Sequence, residues 1–146
     1  MIRVVADANV LVSAALARDP RAPSVVLLDA ALAGRLELIT SPALLAELAS
    51  VLSRPRQRRY LSIEEAERFV ADLAAVTVLA ADPPSPHPAI CRDPADDYLV
   101  ALALSADAEA LVTGDLDLLS VVEPGVAVLT PRDLIERLER DDQAAL

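Results

Sequence analysis

An α/β domain, with one parallel twisted sheet and helices on both faces, is the fold class this sequence predicts. Three observations predict it. Short apolar, β-branched runs alternate along the chain with segments of helical periodicity, the pattern of a parallel sheet covered by its crossover helices. The length of 146 residues suits one domain, and 54% hydrophobic residues suffice for a sizeable core. No internal repeat or second-domain boundary interrupts residues 1–139, after which residues 140–146 form a short polar tail expected to fray.

Each element follows from local signals. Ile2 to Ala6 is an apolar run of strand length, and beyond Asp7 the spacing of Val10, Leu11, Ala14 and Ala15 turns helical. Pro23 and Ser24 open a second helix that Gly34 ends. Leu36 to Thr40 is the second strand. Ser41 then caps a helix with Pro42 at its first position and an apolar face of Leu44, Leu45, Leu48, Val51 and Leu52. Ser62 with Glu65 forms a capping box for a helix reaching about Ala75, and Val76 to Leu79 is a third strand.

Four prolines between Asp82 and Pro88 require an extended loop. Asp93-Pro94 starts a helix that is apolar all round from Tyr98 to Leu104, which predicts burial between other elements. Ala110 to Val112 and Val126 to Leu129 are the last strands, separated by a turn and short helix from Gly114 to Ser120. Thr130-Pro131 caps a final helix through Leu138.

Composition removes several functions. A single cysteine, Cys91, excludes a disulfide framework, and a single histidine, His87, excludes Cys/His zinc sites. All 13 basic residues are arginine, so a P-loop lysine is missing, and three glycines leave no dinucleotide-binding fingerprint. No apolar run is long enough to span a membrane, and Asp7 and Asn9 interrupt what would be the core of a signal peptide, so a cytoplasmic protein is expected. The net charge of −10 disfavours contact with a polyanion, unless clustered acids are filled by divalent metal and turn cationic.

The acids are placed where such a cluster would form. In an open parallel sheet, ligands bind beyond the carboxyl ends of the strands, near a switch in strand order. Asp7 and Asn9 follow the first strand, and Glu47 lies within two turns of the start of the helix after the second. Asp93, Asp96 and Asp97 open the apolar helix, and Asp115 and Asp117 follow the fourth strand. Converging carboxylates raise one another's pKa, and a hard divalent cation with oxygen ligands relieves that cost. Taken singly, each acid also has a structural use, in a helix cap, a helix dipole or a turn. A purely structural reading must hold at four separated places that share one sheet end.

The segments VVADANVLVSAAL, TSPALLAELASVLSRPRQRRYL, CRDPADDYLVALAL and LVTGDLDLL together resemble PIN-domain ribonucleases, in particular bacterial toxin components of VapC type. The resemblance runs in order over nearly the whole chain. It implies a PIN-like domain and a Mg²⁺- or Mn²⁺-dependent endoribonuclease with one or two ions, the toxin of a toxin–antitoxin pair. On it, Asp7, Glu47, Asp97 and Asp115 match the family's four acids and Asp117 an auxiliary one. Asn9 and Thr113 match supporting positions, and Asp93 and Asp96 are further candidate ligands. Leu118-Leu119 departs from the pattern, because many members carry an aromatic after the last acid. The implied chemistry is attack by a metal-activated water on the phosphodiester, leaving 5′-phosphate and 3′-hydroxyl ends. A catalytically silent binding module and a structure-specific DNA nuclease are the alternatives.

Arg54, Arg56, Arg58 and Arg59 with Tyr60 form the one dense basic segment. It reads either as a solvated loop or as an RNA contact, with arginine forks on phosphate and Tyr60 on a base. His87, between two prolines, reads as a surface residue and Cys91 as a small core residue. The alanine- and leucine-rich helices suggest a homodimer, and the family resemblance implies an antitoxin partner.

Overall fold

The computed structural model describes residues 1–121 and 125–145. Its elements alternate along the chain: β1 (Ile2–Ala6), α1 (Ala8–Leu16), α2 (Pro23–Leu32), β2 (Leu36–Thr40), α3 (Pro42–Leu52), a 3₁₀ turn (Pro55–Arg59), α4 (Ile63–Val76) and β3 (Val78–Leu79). The second half adds α5 (Pro94–Ser105), β4 (Ala110–Val112), α6 (Leu116–Leu119), β5 (Ala127–Leu129) and α7 (Pro131–Ala144).

The strands form one five-stranded parallel sheet in the order β3-β2-β1-β4-β5. The chain steps outward from β1 through β2 to β3, then returns to the other side of β1 for β4 and β5. The order therefore reverses at β1, and the crevice this creates opens at the carboxyl ends of β1 and β4.

Alternation along the strands divides the core. Val4 and Ala6 of β1, Leu38 of β2 and Val112 of β4 face one layer, packed by α1, α2, α3, α4 and α7 through Leu11, Leu27, Leu48, Leu73 and Leu134. Val5, Ile39 and Leu111 face the other, covered mainly by Leu99, Val100, Leu102 and Ala103 of α5 with Leu118 of α6. Both layers are closed by side chains that are almost fully buried.

Three expectations shift. The third strand is only Val78–Leu79, because α4 holds its helix through Val76. Helix α5 is not enclosed on every side: it lies on the outside of its layer and leaves Leu104 38% exposed. The final helix does not end at Leu138 with a frayed tail but continues to Ala144. There Asp142 pairs with Arg35, which precedes β2, and so ties the last turns to the sheet.

Candidate active site

The ends of β1 and β4 set the first part of the site. As the strands end, Asp7 donates its backbone N–H to the carbonyl of Val112 at 2.9 Å, locking the two exits side by side. Asp7 caps α1: its Oδ1 accepts the N–H of Asn9 at 2.7 Å, and its Oδ2 accepts the hydroxyl of Thr113 at 2.8 Å. The same Thr113 oxygen accepts the N–H of Asp115 at 3.0 Å. Thr113 is fully buried, so one hydroxyl, used as donor and acceptor, fixes Asp7 against the backbone of Asp115. Asp115 in turn caps α6, accepting the N–H of Asp117 at 2.9 Å.

Helix α5 supplies the second part. Asp93 caps it by accepting the N–H of Ala95 at 3.0 Å. Asp96 is 8% exposed, and its Oδ2 is buried without a hydrogen-bond partner among the described residues. Burial, followed by the negative charges of Asp115, Asp93, Asp7 and Asp117, pushes its carboxyl up to about 6. Glu47, on the exposed side of α3, is also raised, first by partial desolvation and then by the charge of Asp7, with Arg54 opposing. Asp7, Glu47, Asp93, Asp96, Asp115 and Asp117 therefore share one electrostatic neighbourhood.

Asp97, expected among the converging acids, is not there. Its Oδ1 accepts the backbone N–H groups of Ile90 and Cys91 at 2.9 and 2.6 Å, and these amides hold its carboxyl below the usual range. Adjacent helical positions point roughly 100° apart, so only one of the two neighbouring acids can face the crevice. With Asp93 as the cap, the helical phase gives that place to Asp96. Asp97 instead clips down the proline-rich loop.

The supporting residues also need correction in detail. Asn9 serves Asp7 through its main-chain N–H. In the basic segment, Arg58 donates to the carbonyl of Leu52 and so closes the carboxyl end of α3, which removes it from the RNA-contact candidates. Arg54, Arg56, Arg59 and Tyr60 are exposed, and a shallow concavity lies among Arg56, Gln57, Arg59 and Tyr60. His87 is half-buried, with its ring edge-on to Tyr98 at 5.6 Å between centroids. Cys91 is half-buried, and burial with the Asp97 hydrogen bond pushes its thiol up to about 12, the opposite of nucleophile activation.

Sequence reasoning passed over three features. Arg92 lies with its guanidinium 3.7 Å from Asp117, beyond hydrogen-bond distance, and both side chains are mostly exposed. The hydroxyl of Tyr98 bonds both Ser41 and Asp82, joining α5, the start of α3 and the proline-rich loop. A cavity of about 800 Å³ opens beside Asp115, walled by α1 and the first turns of α2 and α7. Arg92 stands next to the Asp93-Pro94 cap and was open to notice; the cavity depends on tertiary packing and left no local signal.

Among the described residues, no three Asp, Glu, His or Cys side chains already converge closely enough to enclose an ion. None of the described helices is long and apolar enough to cross a membrane.

Fold and site together define an α/β domain that gathers carboxylates at the switch in strand order of a parallel sheet. A family model described as "PIN domain" matches residues 3–117, and the chain belongs to the PIN-domain family. MJ1680, an uncharacterised protein of Methanocaldococcus jannaschii, is 28% identical over 149 residues, covering 95% of this chain and 93% of that protein. PAE2754 from Pyrobaculum aerophilum has a similar structure, with a TM-score of 0.63 and 20% identity over 95% of this chain and 90% of its own. VapBC2 from Rickettsia felis, solved bound to a DNA fragment from their promoter, superposes with a TM-score of 0.58 and 15% identity over 87% of this chain and 97% of its own. At these identities the two structures establish the shared fold.

Proposed function

We propose that this PIN domain is a divalent-metal-dependent nuclease that hydrolyses RNA phosphodiesters. The observation that carries the reading is Asp96 Oδ2: a buried carboxylate oxygen without a hydrogen-bond partner among the described residues, on a side chain that feels the charges of Asp115, Asp93, Asp7 and Asp117. A buried, unpaired acceptor among like charges is costly, and a cation is its natural complement. The residues fit a hard divalent ion such as Mg²⁺ or Mn²⁺, since every donor is oxygen. Mg²⁺ takes one or two carboxylates directly and keeps waters elsewhere, so a few of these acids suffice for it.

Asp7, Asp96 and Asp115, with Glu47 and Asp117 beside them, would hold one or two ions, directly or through water. When bound, the metal supplies an acidified water as nucleophile and positive charge against the phosphate oxygens. The chain's own residues prepare for this. Thr113 and the Asn9 amide orient the two oxygens of Asp7, the Asp117 amide orients Asp115, and packing of α5 on the sheet holds Asp96 in place. Arg54, Arg56, Arg59 and Tyr60 offer exposed phosphate and base contacts outside the acid cluster.

The toxin–antitoxin setting is part of the same proposal, supported by the VapC-like motifs and the VapBC2 neighbour. Two apolar grooves flank α4: one includes Leu28, Leu32, Phe69 and Val76, the other Leu52, Ile63 and Val70. They supply surface for an antitoxin and for a second copy of the chain. Purified protein should cleave RNA in Mg²⁺ or Mn²⁺, leave 5′-phosphate ends, and stop in EDTA or with Asp7→Asn. Cleavage that persists in EDTA would reject the mechanism.

A further inference from the structure

The cavity beside Asp115 is left over by the acid cluster, and its walls are of a different kind. Asn9 and Asp115 form the rim it shares with the cluster. Beyond them it is lined by Ser13, Ser24, Thr130 and Arg132, and its volume is about 800 Å³. Among the described residues its far wall carries no carboxylate, only hydroxyls, prolines and a guanidinium. Arg132 is exposed and, like Arg18, Arg54, Arg59 and several other arginines, makes no ion pair among the described residues; what sets it apart is its place on the cavity wall.

Two helices begin on this wall. α2 starts at Pro23 behind Ala22, which offers no side-chain cap; Pro23 has no N–H and those of Val25 and Val26 bond the Ala22 carbonyl at 2.9 and 3.0 Å, so the Ser24 N–H is the donor this end presents to whatever enters the cavity. α7 starts at Pro131 behind Thr130, whose hydroxyl is already engaged by the N–H of Asp133. An independent sign of a ligand is Ser24. It is only 7% exposed, it lines the cavity, and its hydroxyl has no hydrogen-bond partner among the described residues. A nearly buried serine that lines the same cavity as a guanidinium and a helix end without a side-chain cap forms with them a seat for an anion.

We infer that this cavity receives the backbone of a single-stranded RNA next to the bond being cut, with a phosphate held by Arg132, the Ser24 hydroxyl and the first turn of α2. The inference rests on the nuclease reading and adds to it the direction in which the strand leaves the acids. The shared rim at Asn9 and Asp115 makes cavity and cluster continuous, so neighbouring phosphates of one strand can occupy both. It also answers the problem of a chain with a net charge of −10: the local field around Arg132 and the start of α2 attracts phosphate where the global field repels it.

The test is a binding titration of the whole protein with tetrauridylate in Ca²⁺, followed through backbone amide resonances, with cleavage in Mg²⁺ assayed separately. Shifts are expected at Ser24, Val25, Val26, Arg132 and Asp133. Arg132→Ala should weaken binding about tenfold, the scale of one charge-assisted hydrogen bond, and lower the slope of log affinity against log salt by about 0.7. Arg132→Glu should abolish measurable binding while keeping the fold, because an acid in the first turn suits the helix. Arg140→Glu, the same charge change further along α7, should leave affinity unaltered.

Shifts confined to residues 54–60, or equal losses from Arg132→Glu and Arg140→Glu, would overturn the inference even if Mg²⁺-dependent cleavage is observed. Absence of cleavage with the expected shifts present would reject the nuclease reading and leave the anion seat standing.

Discussion

The two edges of the sheet treat their acids in opposite ways. At the amino edge, Arg3 bonds Glu37 on the neighbouring strand at 2.8 Å and the carbonyl of Ala106 at 2.9 Å. Arg137 reaches Glu109 at 3.3 Å, and Arg35 pairs with Asp142. At the carboxyl edge, beyond the effect of burial, the charges of Asp115, Asp93, Asp7 and Asp117 act on Asp96 and that of Asp7 acts on Glu47; among the described residues, Arg92 at 3.7 Å from Asp117 and Arg54 near Glu47 offset them. Acids of the first group finish the structure; those of the second leave it incomplete. An acidic residue's partners, rather than the number of acids, separate the two roles, and this is why the net charge could not decide the question of function.

The largest effect that would break this comparison is on catalysis. Asp96→Asn should reduce RNA cleavage at least about a hundredfold by removing a metal-facing carboxylate, whereas Asp97→Asn keeps an oxygen able to accept both loop amides and should retain most activity. Single-turnover cleavage of a labelled RNA compares them. Thr113→Val is next. It leaves Asp7 Oδ2 and the Asp115 N–H without their shared partner, which should weaken metal affinity about 10- to 100-fold and stability by about 1–3 kcal/mol. Metal titration and chemical denaturation read the two consequences.

A smaller effect concerns pH. The Asp96 carboxyl sits at about 6 in the folded chain against an ordinary 3.8, so between these values the folded protein binds more protons than the unfolded. The metal-free protein should therefore lose stability as pH rises through that window, and Mg²⁺ should restore melting temperature above it. Melting curves from pH 4 to 8, with EDTA or Mg²⁺, give the sign; a metal-free protein that gains stability across the window would contradict it. Least of all, Glu37→Gln at the paired edge should cost under about 1 kcal/mol, as exposed ion pairs do, and leave cleavage intact.

Much of this was readable from residues alone. Pro42 after Ser41, Pro94 after Asp93 and Pro131 after Thr130 mark three helix starts because capping and proline act locally. Acids after β1 and β4 meet because parallel strands bring their ends together. The choice between Asp96 and Asp97 was not readable, since it depends on helical phase, which the capping residue and the packing of α5 on Val5 and Leu111 settle together. Arg58 likewise looked like its neighbours until the 3₁₀ turn aimed it at the end of α3. The tail was misjudged because the ion pair that holds it joins residues 107 positions apart.

The most direct measurement is Mn²⁺ binding by calorimetry to the wild-type chain, Asp96→Asn and Asp97→Asn at pH 7.5. The wild type should bind, Asp97→Asn should retain that binding, and Asp96→Asn should lose it or have it severely weakened. No binding by the wild type, or retention in Asp96→Asn with loss in Asp97→Asn, would contradict this expectation.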